Sequence, residues 1–519
     1  MEILEDKTIV ITTRNPSKYN IIPKSKVLES AGDKHRVAVY WGLDEARVLK
    51  NLGVKNVPSP IIKRYDWPGR FTPMAHQVDT AAFLTLHRRA FVFNDPGTGK
   101  TLSALWAADY LMKRGEVRRM LVLCPLSIMF SAWMGDIANS VIHRSCIVAH
   151  HHQAARRIEM IQSDYEIVIT NYEGLALMAD EINADGRFDL IVVDEANAYK
   201  NVQTNRWKAL NKIVRADTHL WMMTGTPAAQ SPVDAYGLAR LVNPTGVPRF
   251  MTGWRDKVMY KATQFKWVPK ENAKEQVHEA LQPSIRFTKD QCLDLPPVLT
   301  TTREVEMSPQ QKKYYNLLKE QMVVQAAGET ITAVNAATAL NKLLQISCGA
   351  AYTDDKEVVE FDASPRLSVL REILVETSRK VLIFALFRSA IETITESLTS
   401  AGYNVAQIHG GIGASKRNLI IRSFQTEPNP QVLVMQPQAS AHGITLTAAD
   451  TVVFYGPLMS VEQYIQSIAR ADRKGQDSDK VTVVHIQSSP IERKMFKALT
   501  ARVEDNHLLT SMFESEISE

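Results

Sequence analysis

Eight consecutive residues, Asn94-Asp-Pro-Gly-Thr-Gly-Lys-Thr101, have a spacing suited to holding phosphate. They follow an apolar strand-like run, Ala90-Phe-Val-Phe, and open a helix beginning Leu102-Ser-Ala-Leu-Trp that is expected to be amphipathic. Gly97 and Gly99 allow a turn tight enough for successive N–H groups to point inward, and the helix start adds its positive dipole end. Lys100 is expected to reach the β- and γ-phosphates of a nucleotide, and the Thr101 hydroxyl to take a place on Mg2+. Asp95, Pro96 and Thr98 complete the loop. The full GxxxxGK[ST] pattern has Gly where this chain has Asn94.

A second group of candidates lies about a hundred positions on. Asp194 and Glu195 close the apolar run Leu190-Ile-Val-Val. A carboxylate there can hold Mg2+, directly or through water, and its neighbour can polarise an attacking water. Paired acids at a turn are ordinarily just solvated; combined with a phosphate loop they argue for hydrolysis of a nucleoside triphosphate. A third group is Arg470 and Arg473, three apart on an expected helix and hence on one face, where they would meet charge on the transferring phosphoryl group. Without such a partner site they read as surface arginines.

The elements needed to position these groups follow from the apolar pattern. Residues 1–64 show short strands (Thr8-Ile-Val-Ile-Thr, Arg36-Val-Ala-Val-Tyr-Trp), a helix from Leu43 and a Pro-rich exit, which reads as a small N-terminal α+β domain. From residue 65 to 286, buried-looking strands at 90–94, 121–124, 166–170, 190–194 and 220–224 alternate with helices, the pattern of a parallel sheet covered on both faces. Residues 287–365 read as a connection with a helical projection, Ser308-Pro309 serving as N-cap and first helical position. Alternation returns over 366–500, with strands from Val381, Val405, Val432, Val452 and Val481, before a tail at 501–519. The fold class is therefore α/β, with two parallel-sheet lobes of which one carries a phosphate loop.

Bulk properties narrow the class further. The 45% apolar and 23% charged content is that of a globular protein, and a net charge of +5 is too small to decide for or against a polyanionic partner. The four cysteines form no C-x-x-C pair, so a reduced compartment without structural zinc is expected. The opening MEILEDKTIV has no basic-then-apolar signal and no run approaches a membrane span, so an intracellular protein, cytoplasmic or nuclear, is expected. His150-His-His152 reads as a loop rather than a metal tract, Met222-Met223 and Leu343-Leu344 as core, and the acidic end Glu514–Glu519 as frayed.

From about Tyr65 to Ile486 the motifs, in order, resemble those of superfamily 2 helicase-type motors, and among them the Swi/Snf-like double-stranded-DNA translocases. His76-Gln77 resembles the adenine-reading motif, NDPGTGKT the first helicase motif, and Asp194-Glu-Ala-Asn the DEAH-type box. Leu123-Cys-Pro-Leu-Ser and Ile169-Thr-Asn-Tyr-Glu resemble strand-contacting motifs, and Leu220 through Pro227 the motif that couples hydrolysis to motion. Leu295-Pro-Pro, with Val305-Glu-Met-Ser-Pro-Gln-Gln, resembles the start of the second lobe. Gly443-Ile-Thr-Leu-Thr-Ala-Ala-Asp450 and the segment ending Arg470-Ala-Asp-Arg-Lys-Gly-Gln476 resemble the fifth and sixth motifs. Asn94, Asn197, Ser440 and Ala441 depart from the family pattern. The compact chain with its small N-terminal domain looks nearer the annealing-helicase branch.

The resemblance implies two RecA-like lobes with a helical inter-lobe insertion, ATP and Mg2+ as cofactors, and double-stranded DNA as partner. It implies no membrane and a monomeric motor unit. Gln77, Gly443 and Gln466 join the nucleotide set. Ser127, Thr170, Asn171, Lys200, Asn201 and His409 become candidates for DNA contact. Two other readings stay open: a strand-separating DNA or RNA helicase, and a nucleotide-gated DNA-binding protein with slow turnover.

Overall fold

The computed structural model describes residues 1–225, 231–262, 267–292, 297–328, 333–352, 357–440, 444–473 and 475–501, without the side chains of Ser127, Ser131, 322–328, 333–337, Ala439 and Ser440. The chain divides into two compact units, Met1–Ala228 with Pro232–Cys292, and Ala229–Ser231 with Leu293 onward.

The first unit begins with a four-stranded antiparallel sheet, β1 (Glu2–Leu4), β2 (Thr8–Thr13), β3 (Lys26–Ala31) and β4 (Lys34–Tyr40), in the order β1-β2-β4-β3. Ile9 faces Val39 and Ile11 faces Val37 in register, so the period of two puts all four on one face. The helix Leu43–Asn51 covers that face with Ala46 and Leu49. β1 and β3 have no apolar alternation to reveal them because every residue in them is exposed. The small sheet is tied to the rest of the unit: Arg47 donates to the Thr85 carbonyl and the Glu116 carboxylate, and Ser59 shares a buried hydrogen bond with Thr85.

A seven-stranded parallel sheet forms the body of this unit. Its strands are β5 (Arg89–Val92), β6 (Arg119–Leu123), β7 (Cys146–Val148), β8 (Ile167–Thr170), β9 (Phe188–Val193) and β10 (His219–Met223). After the hairpin β11 (Met259–Lys261) and β12 (Trp267–Pro269) comes the last strand, β13 (Ser284–Ile285), giving the order β13-β5-β10-β9-β6-β8-β7. Alternate residues feed two cores, with Phe91, Leu121, Ile191 and Met222 on one side and Val92, Val122, Val192 and Trp221 on the other. That two-sided burial is why the strands read as continuous apolar runs. The helix Lys100–Lys113 differs from expectation. Residues 103–112 are all buried, so it is covered around its circumference rather than on one face, because it packs against both the sheet and the helix Ala75–Leu86.

The second unit holds a six-stranded parallel sheet: β14 (Val298–Glu304), then, after the hairpin β15 (Ala350–Tyr352) and β16 (Val358–Glu360), β17 (Lys380–Phe384), β18 (Val405–Ile408), β19 (Val432–Met435), β20 (Ala449–Phe454) and β21 (Val481–Gln487). The order is β14-β21-β20-β17-β19-β18. β14 lies at one edge with most residues exposed and is not evident from apolar runs. The helices Pro309–Gly328 and Ala333–Ser347 contribute Tyr315, Leu340, Leu343 and Leu344 to the core beside this sheet. Ser308 Oγ accepts from the Gln311 N–H while Gln311 Oε1 accepts from the Ser308 N–H, a reciprocal cap at the expected position. A buried pair, Arg366 Nη2 to both Glu492 carboxylate oxygens at 2.8 Å, joins the helices Ser364–Val375 and Pro490–Thr500.

Candidate nucleotide site and nucleic-acid edge

Parallel strands bring their carboxyl ends to one edge, and in the first unit that edge collects the polar residues singled out above. The phosphate loop leaves β5, Cys124 follows β6, Thr170 ends β8, Asp194 follows β9 and Thr224 follows β10. Backbone bonds hold neighbouring ends level: Asp194 N–H to the Leu123 carbonyl at 2.8 Å and Thr224 N–H to the Val92 carbonyl at 3.0 Å.

Gly97 and Gly99 adopt φ values of +88° and +78°, the left-handed region that favours glycine. A Cβ on Gly99 would stand 2.0 Å from Gln77 Nε2, so a larger residue there would displace the Gln77 amide as well as strain the left-handed backbone. His76 Nε2 lies 2.8 Å from the Thr98 carbonyl, and Gln77 Nε2 donates to the same oxygen at 3.4 Å. The Q-bearing helix thereby braces the loop. Thr98 Oγ donates to the Asp95 carbonyl, and Gly225 passes so close to Pro96 that a Cβ would meet its Cδ at 2.8 Å. Lys100 heads the 14-residue helix and turns its ammonium onto the Asn94 and Asp95 carbonyls at 2.8 and 3.2 Å. A cation, two left-handed glycines and a long helix's first N–H groups converging on one loop fit a nucleotide phosphate. The Thr101 hydroxyl and the Asp194 carboxylate are hard oxygen donors that could hold Mg2+.

Asp194 is almost fully buried. Its Oδ2 accepts from the Trp133 indole at 3.0 Å and its Oδ1 from the Glu195 N–H at 3.0 Å. Burial pushes the carboxyl above its ordinary range, although the Lys100 charge and these two donors pull the other way. Glu195 sits at φ +47°, ψ +57°, a left-handed conformation that costs a residue with a Cβ about 1 kcal/mol or more. The Tyr172 hydroxyl holds this turn by donating to the Asp194 carbonyl at 2.6 Å and, more weakly, to that of Glu195. Sequence reasoning missed His76, Trp133 and Tyr172 as supports. His76 and Tyr172 lie within motifs named above, but Trp133 has no spacing signal.

The nucleic-acid candidates of this unit follow β6, β8 and β9. Thr170 is buried with its hydroxyl on the Ala149 carbonyl, and Asn171 caps the helix Tyr172–Asp185 by accepting from the Gly174 N–H. Lys200 pairs with Asp234 at 3.2 Å, and Asn201 is exposed. The Ser127 side chain lies outside the described residues, as do Thr226 and Pro227.

In the second unit, Gln466 donates to Glu462 on the helix Val461–Ile468, and His409 is buried with Nδ1 accepting from the Gly411 N–H. Arg470 and Arg473 do not lie on that helix, which stops at Ile468. Short-range bonds from the Arg470 and Ala471 N–H groups to the Ser467 and Ile468 carbonyls tighten the chain there, and the Arg470 carbonyl accepts from Leu446 N–H instead of a following helical turn. The two arginines still converge, both donating to the Ile444 carbonyl at 3.4 and 3.3 Å. Gly443 and Ala441 fall outside the described residues. All four cysteines are unpaired, and among the described residues no group of three or more His, Cys, Asp or Glu could hold a metal and no helix is long and apolar enough to cross a membrane.

Comparison with known proteins places these elements. The solved SWI2/SNF2 ATPase core of Sulfolobus solfataricus in complex with dsDNA is 21% identical and covers 87% of this chain and 96% of that one, with a TM-score of 0.41. The mouse (Mus musculus) chromodomain-helicase-DNA-binding protein 1-like is 24% identical over 429 residues, 79% of this chain and 46% of that protein. Protein p41 of Acyrthosiphon pisum secondary endosymbiont phage 1 is 25% identical over 417 residues, 77% and 88% respectively. The chain thus spans less than half the length of the chromodomain-helicase relatives it matches. The helicase conserved C-terminal domain matches residues 365–475, and the SNF2-related domain matches residues 76–348, more than half of the chain. With the phosphate loop, the acidic pair and their common edge all inside that longer match, the chain belongs to the SNF2-related family.

Proposed function

We propose that this protein is an ATP-dependent motor that hydrolyses ATP to move on, or remodel, double-stranded DNA inside the cell. The observation that carries this reading is the single sheet edge of an SNF2-related unit on which Lys100, Asp194, Glu195 and Thr170-Asn171 are collected. Lys100 neutralises phosphate charge, Thr101 and Asp194 hold Mg2+, and Glu195 orients and polarises the attacking water. The metal, when bound, supplies charge to the phosphate oxygens. Gln77, Gly443 and Gln466 belong to the nucleotide set, and Arg470 and Arg473 meet the charge of the transferring group. Ser127, Thr170, Asn171, Lys200, Asn201 and His409 serve the phosphate backbone, which carries no sequence information, so activity extends to many sequences.

ATP turnover measured without nucleic acid and with duplex DNA, single-stranded DNA or RNA tests the reading. Stimulation chiefly by duplex DNA is expected. Stimulation chiefly by single strands would favour a strand-separating helicase, and an unstimulated slow rate a nucleotide-gated binding protein.

A further inference from the structure

Asn94 occupies the place at which the phosphate-loop pattern has glycine, and its side chain is engaged where a glycine would have none. The residue is 1% exposed. Its Nδ2 donates to Thr80 Oγ at 2.9 Å on the helix Ala75–Leu86, while its Oδ1 accepts from the Phe287 N–H at 3.0 Å. The Thr80 hydroxyl donates onward to the His76 carbonyl at 2.7 Å, and His76 is the residue that meets the Thr98 carbonyl on the far side of the loop. Asp95 engages the same partner segment twice more, its N–H donating to the Phe287 carbonyl at 2.9 Å and its Oδ2 accepting from the Lys289 N–H at 3.2 Å. Residues 287–292 are the last of the first unit before the chain enters the second.

These bonds and those of Lys100 fall on the same two residues, through different atoms. The ammonium rests on the carbonyls of Asn94 and Asp95, the two residues that grip Phe287 and Lys289. A peptide carbonyl and the neighbouring N–H belong to one rigid plane, so a change at the carbonyls turns the planes to which these contacts are attached. Buried polar networks with every member bonded transmit such changes because the alternative is an unsatisfied buried group.

We propose that Asn94 is a positioning residue that couples the phosphate loop to the exit segment Phe287–Cys292, so that Lys100 turning from the loop carbonyls to a phosphate changes how firmly that segment is held. This rests on the nucleotide site proposed above and deepens it. The substitution away from glycine then has a role that loop geometry alone does not require.

Hydrogen exchange of the full-length protein, read by mass spectrometry with and without saturating AMP-PNP and Mg2+, tests the coupling. In the wild type the Phe287 and Lys289 amides are expected to exchange slowly without nucleotide, and AMP-PNP to change their rates about tenfold, the scale of one buried hydrogen bond. In Asn94→Gly the Phe287 amide, which loses its acceptor, is expected to exchange fast in both states and to lose the contrast. Asn94→Asp keeps the acceptor for Phe287 and is expected to restore it. Thr80→Val removes only the Nδ2 partner and should reduce the contrast, which keeps the test decisive if the glycine variant does not fold. AMP-PNP binding to wild type with exchange at 287–292 unmoved, or an undiminished contrast in Asn94→Gly, overturns the coupling alone. No AMP-PNP binding to the wild type overturns the nucleotide site and the coupling together.

Discussion

Asp194 and Glu195 are neighbours in sequence with different surroundings, and their environments assign different work. Asp194 is buried against Trp133 with the Lys100 charge nearby, whereas Glu195 is carried on a left-handed backbone that the Tyr172 hydroxyl helps to hold. Glu195→Gln keeps the shape and removes the base. ATP turnover is therefore expected to fall about 10²- to 10⁴-fold while a fluorescent ATP analogue binds as in the wild type. Lys100→Ala should instead weaken analogue binding, as titration would show. Glu195→Gly releases the backbone strain, so urea unfolding should show a gain of about 1 kcal/mol together with lost turnover. Unchanged or lower stability in that variant would mean the left-handed turn stores no strain.

At the scale of elements, the helix behind the phosphate loop is anchored by an acid of no catalytic consequence. Asp109, buried on the helix Lys100–Lys113, accepts from Tyr65, His143 and Arg144 at 2.6–2.7 Å. Burial pushes its carboxyl up, but the hydrogen bonds and the Arg144 charge outweigh burial and hold it below its ordinary value. A carboxyl depressed in the folded state adds stability above its unfolded pKa of about 3.9, and that stability is lost as pH falls through the folded value. Asp109→Asn should thus cost about 2 kcal/mol near neutral pH by weakening the buried hydrogen bonds to Tyr65, His143 and Arg144, although Arg144 keeps its pair with Glu166. The difference from wild type in denaturant unfolding should shrink below about pH 4. A difference independent of pH would assign the loss to packing.

At the scale of the whole molecule, the phosphate loop belongs to one unit and the convergent arginines to the other. If Arg470 and Arg473 act on the phosphoryl group, Arg473→Ala should lower duplex-stimulated turnover about 10³-fold, within the range of arginine fingers, while leaving DNA affinity in place. Near-normal turnover would reduce the pair to local structure around Ile444. Lys200, downstream of β9 in the first unit, offers a complementary measurement. Lys200→Ala should weaken binding to all duplex sequences alike and reduce the slope of log affinity against log salt by about one, as loss of one phosphate contact does. A sequence-dependent loss would indicate base readout instead.

Much of this molecule was legible before folding because its chemistry is local. The loop Asn94–Thr101 is contiguous, Asp194-Glu195 adjoins a buried run, and the central strands of both sheets announce themselves by being apolar on both faces. β1, β3 and β14 were not legible, since exposed edge strands carry no apolar pattern. Nor was the end of the helix before Arg470, where non-helical bonding of the Arg470 carbonyl to Leu446 decides the matter. The buried circumference of Lys100–Lys113 and the supports given by His76, Trp133 and Tyr172 depend on contacts between separate elements. The engagement of Asn94 with Thr80 and Phe287 joins residues 14 and 193 positions apart. Residue type and spacing therefore determined which groups could handle phosphate, because those groups act through a continuous backbone. Only the tertiary structure decided what holds them, because a buried hydrogen bond depends on which distant strand or helix comes within about 3 Å, and sequence distance carries no record of that.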